Sequence, residues 1–264
     1  FSAPSYAGRG QVRPSLVNDS GFDTVQLGSS NTIAVQADTT LRTAGSLTLD
    51  AQALRVGPGA TLSLDAPRLT LGFLAPGSTY APNLDADPSS GSGRLSASAD
   101  HIDLVGTLSL QGIGQTDLQA QGDVRLRGTS GSLREQGQLR SEGSLTISAA
   151  QLTPASMTDY TIDLGSGPQS RLTLQPSGSV ALEPLSAAGS VTLRASQVDI
   201  SGRVSAPHGR IAVEASEQVR LQAGATLSVA GTLAVPLGTV FNGSQWVYSD
   251  DVNDLQQNSL ASSE

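Results

Sequence analysis

GSLTLDAQALRVGPGATLSLDAPRLTLG, residues 45–72, sets apolar and polar residues in alternation over short runs and cuts each run with Gly, Pro or Asp-Ala. Alternation at a period of two places every second side chain on one face of an extended chain, so each run reads as a short, half-buried strand. The breaks are too small to hold a helix. They also lack the Asn-Gly and Asp-Gly pairs that most two-residue hairpins use.

The same unit recurs along the chain. It appears as GATLSLDA at 59–66, GSLTISA at 143–149, GSVTLRA at 189–195, GRIAVEA at 209–215 and GATLSVAG at 224–231. Two apolar residues flank one polar residue, as Leu47 and Leu49 flank Thr48 and Val191 and Leu193 flank Thr192, and Ile211 and Val213 hold the same inward positions around a small Ala212. The apolar pair faces inward, the residue between faces outward, and a small Ala follows at the turn. Shorter strand-like runs sit between these units, among them RLTLG at 68–72, HIDLVGTLSLQG at 101–112, DVRLRG at 123–128 and QVDISG at 197–202.

QVDISG and RVSAP both fit between Gly189 and Gly209, the starts of two successive units. That spacing predicts three short strands per coil of about 20 residues, within the range of solenoid repeats. One such coil cannot bury its inward face alone. Stacked coils bury it together, and each strand pairs in parallel with the strands above and below. The fold class expected is therefore all-β, a right-handed parallel β-helix. The competing antiparallel sandwich would need hairpin turns throughout, and Asn242-Gly243 is the single Asn-Gly pair in the chain. That pair predicts a C-terminal hairpin, TVF against QWVY, with Trp246 packed on the end of the solenoid.

Composition agrees with a slim repetitive core. Aromatic residues are 3% of the chain, so Leu, Val, Ile and Ala must do the packing. Charged residues are 14%, and Ser, Thr, Gln and Gly take their place on the surface. The net charge is −8, and all 15 cations are Arg, with no basic stripe to gain from counterion release on phosphates. Nucleic acid is excluded as a natural partner on this ground. The chain has no Cys, which removes disulfides, thiolate metal sites and a catalytic thiol. No apolar run reaches the length of a membrane span. The chain opens at Phe1 without a Met or a leader pattern and is read as a piece of a larger precursor.

Breaks in the pattern divide the chain. Residues 1–20 read as a lead-in segment, 21–235 as the β-solenoid, and 236–264 as the hairpin and a linker. Within the solenoid, the Pro-rich stretch 73–93 is expected to leave the rod as a surface loop, with a smaller excursion around 153–160 and 166–170. The long loop supplies the candidate recognition residues, Tyr80, Asn83, Asp85 and Asp87.

PLSAAGSVTLRASQVDISGRVSAPHGRIAVEASEQVRLQAGATLSVAG with VPLGTVFNGSQWVY, and SGFDTVQLGSSNTIAV with TLRTAGSLTLDA, resemble the large exoproteins of the filamentous haemagglutinin type. The resemblance implies a right-handed β-helical rod exported through the outer-membrane pore of two-partner secretion and displayed or released as an adhesin of a Gram-negative bacterium. It implies no catalytic residues and no cofactor. The family's secretion domain is not evident, so this stretch is expected to be stalk or display scaffold.

Other residue groups carry weaker signals. Asp100-His101-Ile102-Asp103 gathers acid and imidazole, as in β-helical polysaccharide lyases and hydrolases, but the acids do not recur at coil spacing and no Lys is present to act as base. His208 follows a Pro at a corner and reads as a surface residue. The acidic stretch Asp250-Asp251-Val252-Asn253-Asp254 lacks the Gly and distal Glu of a calcium loop. Asn18-Asp19-Ser20 and Asn242-Gly243-Ser244 read as turns. Two classes stay open. One is a non-catalytic adhesive rod presenting loops to carbohydrate or a cell-surface receptor, with end-to-end self-association possible through its open ends. The other is a carbohydrate-active β-helix enzyme.

Overall fold

The inward-facing residues stack into continuous columns. Leu47 pairs with Leu69, Leu69 with Ile102, Ile102 with Val124, Val124 with Leu152 and Leu152 with Val204, and all of them are buried. In this computed structural model the described residues are 10–74, 87–129 and 134–231, together with the backbone of 238–241 and 245–248. Among them the fold is all-β and its main sheets are parallel, except for one short helix, α1 (Pro14–Asn18).

The strands follow one another in coils. The first holds β1 (Thr24–Gly28), β2 (Thr32–Val35) and β3 (Thr39–Arg42), and the second β4 (Ser46–Asp50), β5 (Ala53–Val56) and β6 (Thr61–Asp65). The third holds β7 (Arg68–Gly72) and β8 (Ser89–Ala99), and the fourth β9 (His101–Val105) and β10 (Thr107–Ala120). The fifth holds β11 (Asp123–Arg127), β12 (Glu135–Arg140) and β13 (Ser144–Ala149), and the sixth β14 (Gln151–Pro154), β15 (Thr158–Asp163) and β16 (Arg171–Pro176). After them come β17 (Ser190–Ile200), then β18 (Arg203–Ser205) with β19 (Arg210–Leu221), and β20 (Thr226–Ser228).

One face of the stack is the sheet β1-β4-β7-β9-β11-β14-β18-β20. The other two faces merge into one sheet because β10, β17 and β19 run through the corner between them. The coil step is slightly longer than the Gly189–Gly209 interval predicts. Thr24 pairs with Ser46 and Ser46 with Arg68, and both of those steps exceed that interval. The shorter value belongs to the step from β17 to β19, where Ser190 pairs with Arg210.

Two coils each omit a strand from one face, and the neighbouring coils close the gap. Around residues 73–88, β5 bonds directly to β10, with Ala53 opposite Ser109 and Leu54 opposite Leu110. Around residues 177–188, β14 bonds directly to β18 through Leu152 and Val204. The backbone hydrogen bonds of the rod are thus preserved while the chain departs.

Two expectations need correction. Residues 89–93 of the expected loop 73–93 are the opening of β8, paired along β10 from Gln111. Their Ser/Gly composition hid the strand, which is held here by β10, with β6 joining on the other side only from Arg94. Residues 153–160, expected as an excursion, lie mostly in β14 and β15, and Tyr160 is fully buried opposite Gly137, where a Cβ would run into the ring. Residues 166–170 do lie in the mostly exposed turn between β15 and β16, and a further excursion is 177–188, where Val180, Leu182 and Leu185 are exposed.

The lead-in also has structure. Val17 of α1 is buried in the core beside β3, and the Asn18 side chain donates to the Thr40 carbonyl at 2.9 Å and accepts from the Arg42 N–H at 2.8 Å. An amide side chain so placed serves the open edge of β3 as a further strand would. Leu47, Leu49, Val191 and Leu193 are all buried, whereas Ile211 and Val213 are only partly buried because they belong to the last full coil.

Candidate functional site

The base of the long excursion is pinned on both sides. Where the chain leaves β7, the Leu74 N–H donates to Asp50 Oδ1 at 2.9 Å. Where it returns, Gln111 Nε2 donates to the Asp87 carbonyl at 3.0 Å, and Arg140 pairs with the Asp87 carboxylate at 3.0 Å. Ser89 Oγ accepts from the Gly112 N–H and Ser92 Oγ from the Gly59 N–H, each at 3.0 Å. Gln111 also accepts from Arg55 Nε at 2.9 Å, so this anchor ties together several coils. Asp87 is exposed at this anchor, while Tyr80, Asn83 and Asp85 lie outside the described residues.

The acid and imidazole group at the start of β9 is spread along the coil edge. His101 Nδ1 accepts weakly from the Asp123 N–H at 3.4 Å, and its ring lies over Gly122. Asp103 instead accepts a bidentate pair from Arg125 at 2.7 and 2.8 Å and a longer contact from Arg127 at 3.4 Å. Its carboxylate is thereby matched to arginines of the next coil rather than aimed at His101.

That arrangement recurs. Asp65 meets Arg42, Asp199 meets Arg171 and Arg220, and Arg194 bridges Asp163 and Glu214. Acids and arginines stand on outward positions of successive coils and act as rungs of a ladder. Among the described residues no group of three or more His, Asp or Glu could hold a metal ion. His208 is exposed, adopts a left-handed turn with φ 54°, and lies against Gly231. Residues 242–244 and 250–254 lie outside the described residues.

Sequence reading missed Arg134. Its guanidinium forks onto Asp159 at 2.9 and 2.7 Å and also donates to the Ala188 carbonyl at 2.7 Å and to Ser190 at 3.2 Å, clamping successive coils. The ion-paired hydrogen bonds from Arg134 hold the Asp159 carboxyl below its ordinary pKa, with burial opposing and Ser190 and Gln136 assisting. Asp123 is moved the other way, because burial raises its pKa more than Gln151, His101 and Arg125 lower it.

These shifts set opposite pH dependences. The Asp159 contribution is present above the ordinary carboxylate range and is lost as pH falls through its depressed folded-state pKa. Asp123, with a raised folded-state pKa, favours the fold in acid and loses that contribution as pH rises through the raised value. Urea midpoints across the acid-to-neutral range should therefore show D159N less stable than the parent at neutral pH, with the gap closing in acid. D123N should be more stable than the parent at neutral pH, and its gain should vanish in acid. The reverse order at neutral pH would contradict the assigned environments.

The haemagglutinin-repeat family matches residues 8–66, 88–153 and 186–264, most of the chain. The chain belongs to this family. The first internal unmatched interval, 67–87, holds β7 and most of the anchored excursion, and the second, 154–185, holds β15 and β16 and runs into the excursion at 177–188. No curated protein and no solved structure matches the chain. Haemagglutinin repeats are typical of non-enzymatic adhesins, and membership places this chain as an adhesin-like segment of a secreted or surface bacterial protein, in the setting of two-partner secretion. No helix among the described residues is long and apolar enough to cross a membrane.

Proposed function

We propose that this haemagglutinin-repeat chain is a non-catalytic, right-handed β-helical rod that presents its excursions to a carbohydrate or a cell-surface receptor. The observation that carries this reading is the closure of the rod beneath each excursion, β5 to β10 and β14 to β18. It leaves 75–86 and 178–185 free to vary without opening the core, the general condition for recognition loops on a rigid scaffold. The anchored loop with Tyr80, Asn83, Asp85 and Asp87 is the first recognition element, and the exposed Val180, Leu182 and Leu185 mark the second. The rod is carried by a longer precursor to the surface of a Gram-negative bacterium through its outer-membrane pore partner, with 21–235 as the solenoid unit.

The test separates scaffold from recognition. Replacing residues 75–86 by a short Gly/Ser linker should keep the β circular dichroism and the urea midpoint, because loop-closure cost changes slowly with length. Beads coated with the intact chain should attach to animal cells or to immobilised glycans, and beads coated with the loop-replaced chain should lose most of that attachment. Unchanged attachment after replacement of both 75–86 and 178–185 would contradict recognition by the excursions. Hydrolysis or elimination of a glycan polymer by the intact chain would contradict the non-catalytic reading.

A further inference from the structure

The two ends of the described rod differ. At the N-terminal end α1 places Val17 over β3, and the first coil keeps Val25, Leu27, Ile33 and Val35 partly buried. At the other end the inward positions are bare. Val219, Leu221 and Leu227 pair with Val198, Ile200 and Val204 of the preceding coils, which are 1%, 0% and 0% exposed. Val219, Leu221 and Leu227 are 44%, 60% and 39% exposed, and Val229 beside them is 48% exposed. With Ile211 and Val213 they line a hollow of about 450 Å³. Side chains built for a core lie uncovered here by any described residue, and the outer edges of β19 and β20 are unpaired among the described residues. An edge of that kind pairs with any free strand that reaches it.

The chain supplies an occupant. It leaves the rod at Gly231, beside His208 on the rim of this end, and continues as Thr232-Leu233-Ala234-Val235-Pro236-Leu237. Six extended residues reach about 20 Å, about twice the ~10 Å between packed sheets. They lead to β21 (Gly238–Phe241), which pairs antiparallel with β22 (Gln245–Tyr248). An isolated two-stranded hairpin is marginal in water and needs a surface to pack on. This segment also carries Phe241, Trp246 and Tyr248, in a chain whose described core holds the single buried aromatic Tyr160. The family match runs without a break over 186–264, so the segment belongs with the coils before it. A tether this short gives the hairpin an effective concentration in the millimolar range, well above that of a second chain in dilute solution.

We propose that residues 232–248 fold back over the C-terminal end of the rod, with the β21–β22 hairpin on the Val219, Leu221, Leu227 and Val229 surface and Trp246 buried against it. The segment ends the solenoid and keeps it from growing end to end. The chain has one Trp, so its fluorescence reports on this contact alone.

In the full chain Trp246 emission should be blue-shifted and resistant to acrylamide at all protein concentrations. Leu221→Asp changes an exposed residue of the rod, so β circular dichroism should persist while emission shifts red and quenching rises several-fold. Leu185→Asp, on the 177–188 excursion, should leave the Trp signal unchanged. Trp246→Asp should release the hairpin and expose the apolar end, seen by sedimentation as mass that grows with concentration. A red, readily quenched Trp246 in the parent chain would overturn the proposal, as would a strictly monomeric Trp246→Asp chain. Protection of Trp246 that disappears on dilution, with mass falling to the monomer, would assign the end to a second copy and overturn it equally.

Discussion

Leu193→Asp should lower the stability of the rod by about 4 kcal/mol or more, whereas Thr192→Asp, one position before it, should cost under about 1 kcal/mol. Leu193 is fully buried between Ile162 and Val213 of the neighbouring coils, so an aspartate there has neither water nor a cationic partner. A carboxylate in that position must stay ionised and unpaired or take up a proton, and either outcome costs folding free energy. Thr192 stands on the outward face between Thr161 and Ala212, only partly buried, where a carboxylate can reach water. Urea midpoints read the difference. Equal losses in the two variants would mean that the alternation does not set the facing of this coil.

Gly72→Ala should cost about 2–5 kcal/mol through two separate effects. Gly72 closes β7 at φ 135°, a backbone region that side chains strain to adopt, and a Cβ there would overlap the Val105 carbonyl oxygen. That carbonyl accepts the Phe73 N–H at 3.0 Å, and the Gly72 carbonyl accepts the Ala51 N–H at 2.9 Å, so neither strand can yield without breaking a ladder bond. Gly59 separates the two effects. Its φ is also positive, at 72°, but a Cβ would meet nothing within 4 Å, so Gly59→Ala should cost only the conformational penalty of about 1–2 kcal/mol. Similar midpoints for the two alanine variants would show that β7 and β9 can separate at the point where the excursion departs.

Much of the scaffold follows from local sequence, because strand facing depends only on whether a residue is an odd or even step from its neighbour. The inward placement of Leu47, Leu49, Val191 and Leu193 is of this kind. So is the absence of helices from the described repeats, and the use of Leu, Val and Ile where aromatic residues are scarce. Which coil meets which is not local. Nothing in the residues near Ala53 or Leu152 announces that their ladder partners are Ser109 and Val204, because that pairing exists only once the intervening chain has left the stack. The Ser/Gly-rich opening of β8 is a strand for the same reason, since β10 pairs along its backbone and Ser89 and Ser92 accept N–H groups of neighbouring coils where its own side chains offer little to bury.

The candidate site divides along the same line. Asp103, Asp159 and Asp199 are equivalent as letters to any surface acid, and their roles come from arginines a full coil away in the chain that stacking brings within hydrogen-bonding distance. Asn18, a turn residue by its triplet, serves the edge of β3 because α1 sets it there. The sequence by itself determined the alternation, and with it the inside and outside of every coil. Tertiary structure alone decided the register between coils, where the excursions leave and which charges are neutralised, since each depends on contacts between residues that only stacking brings together.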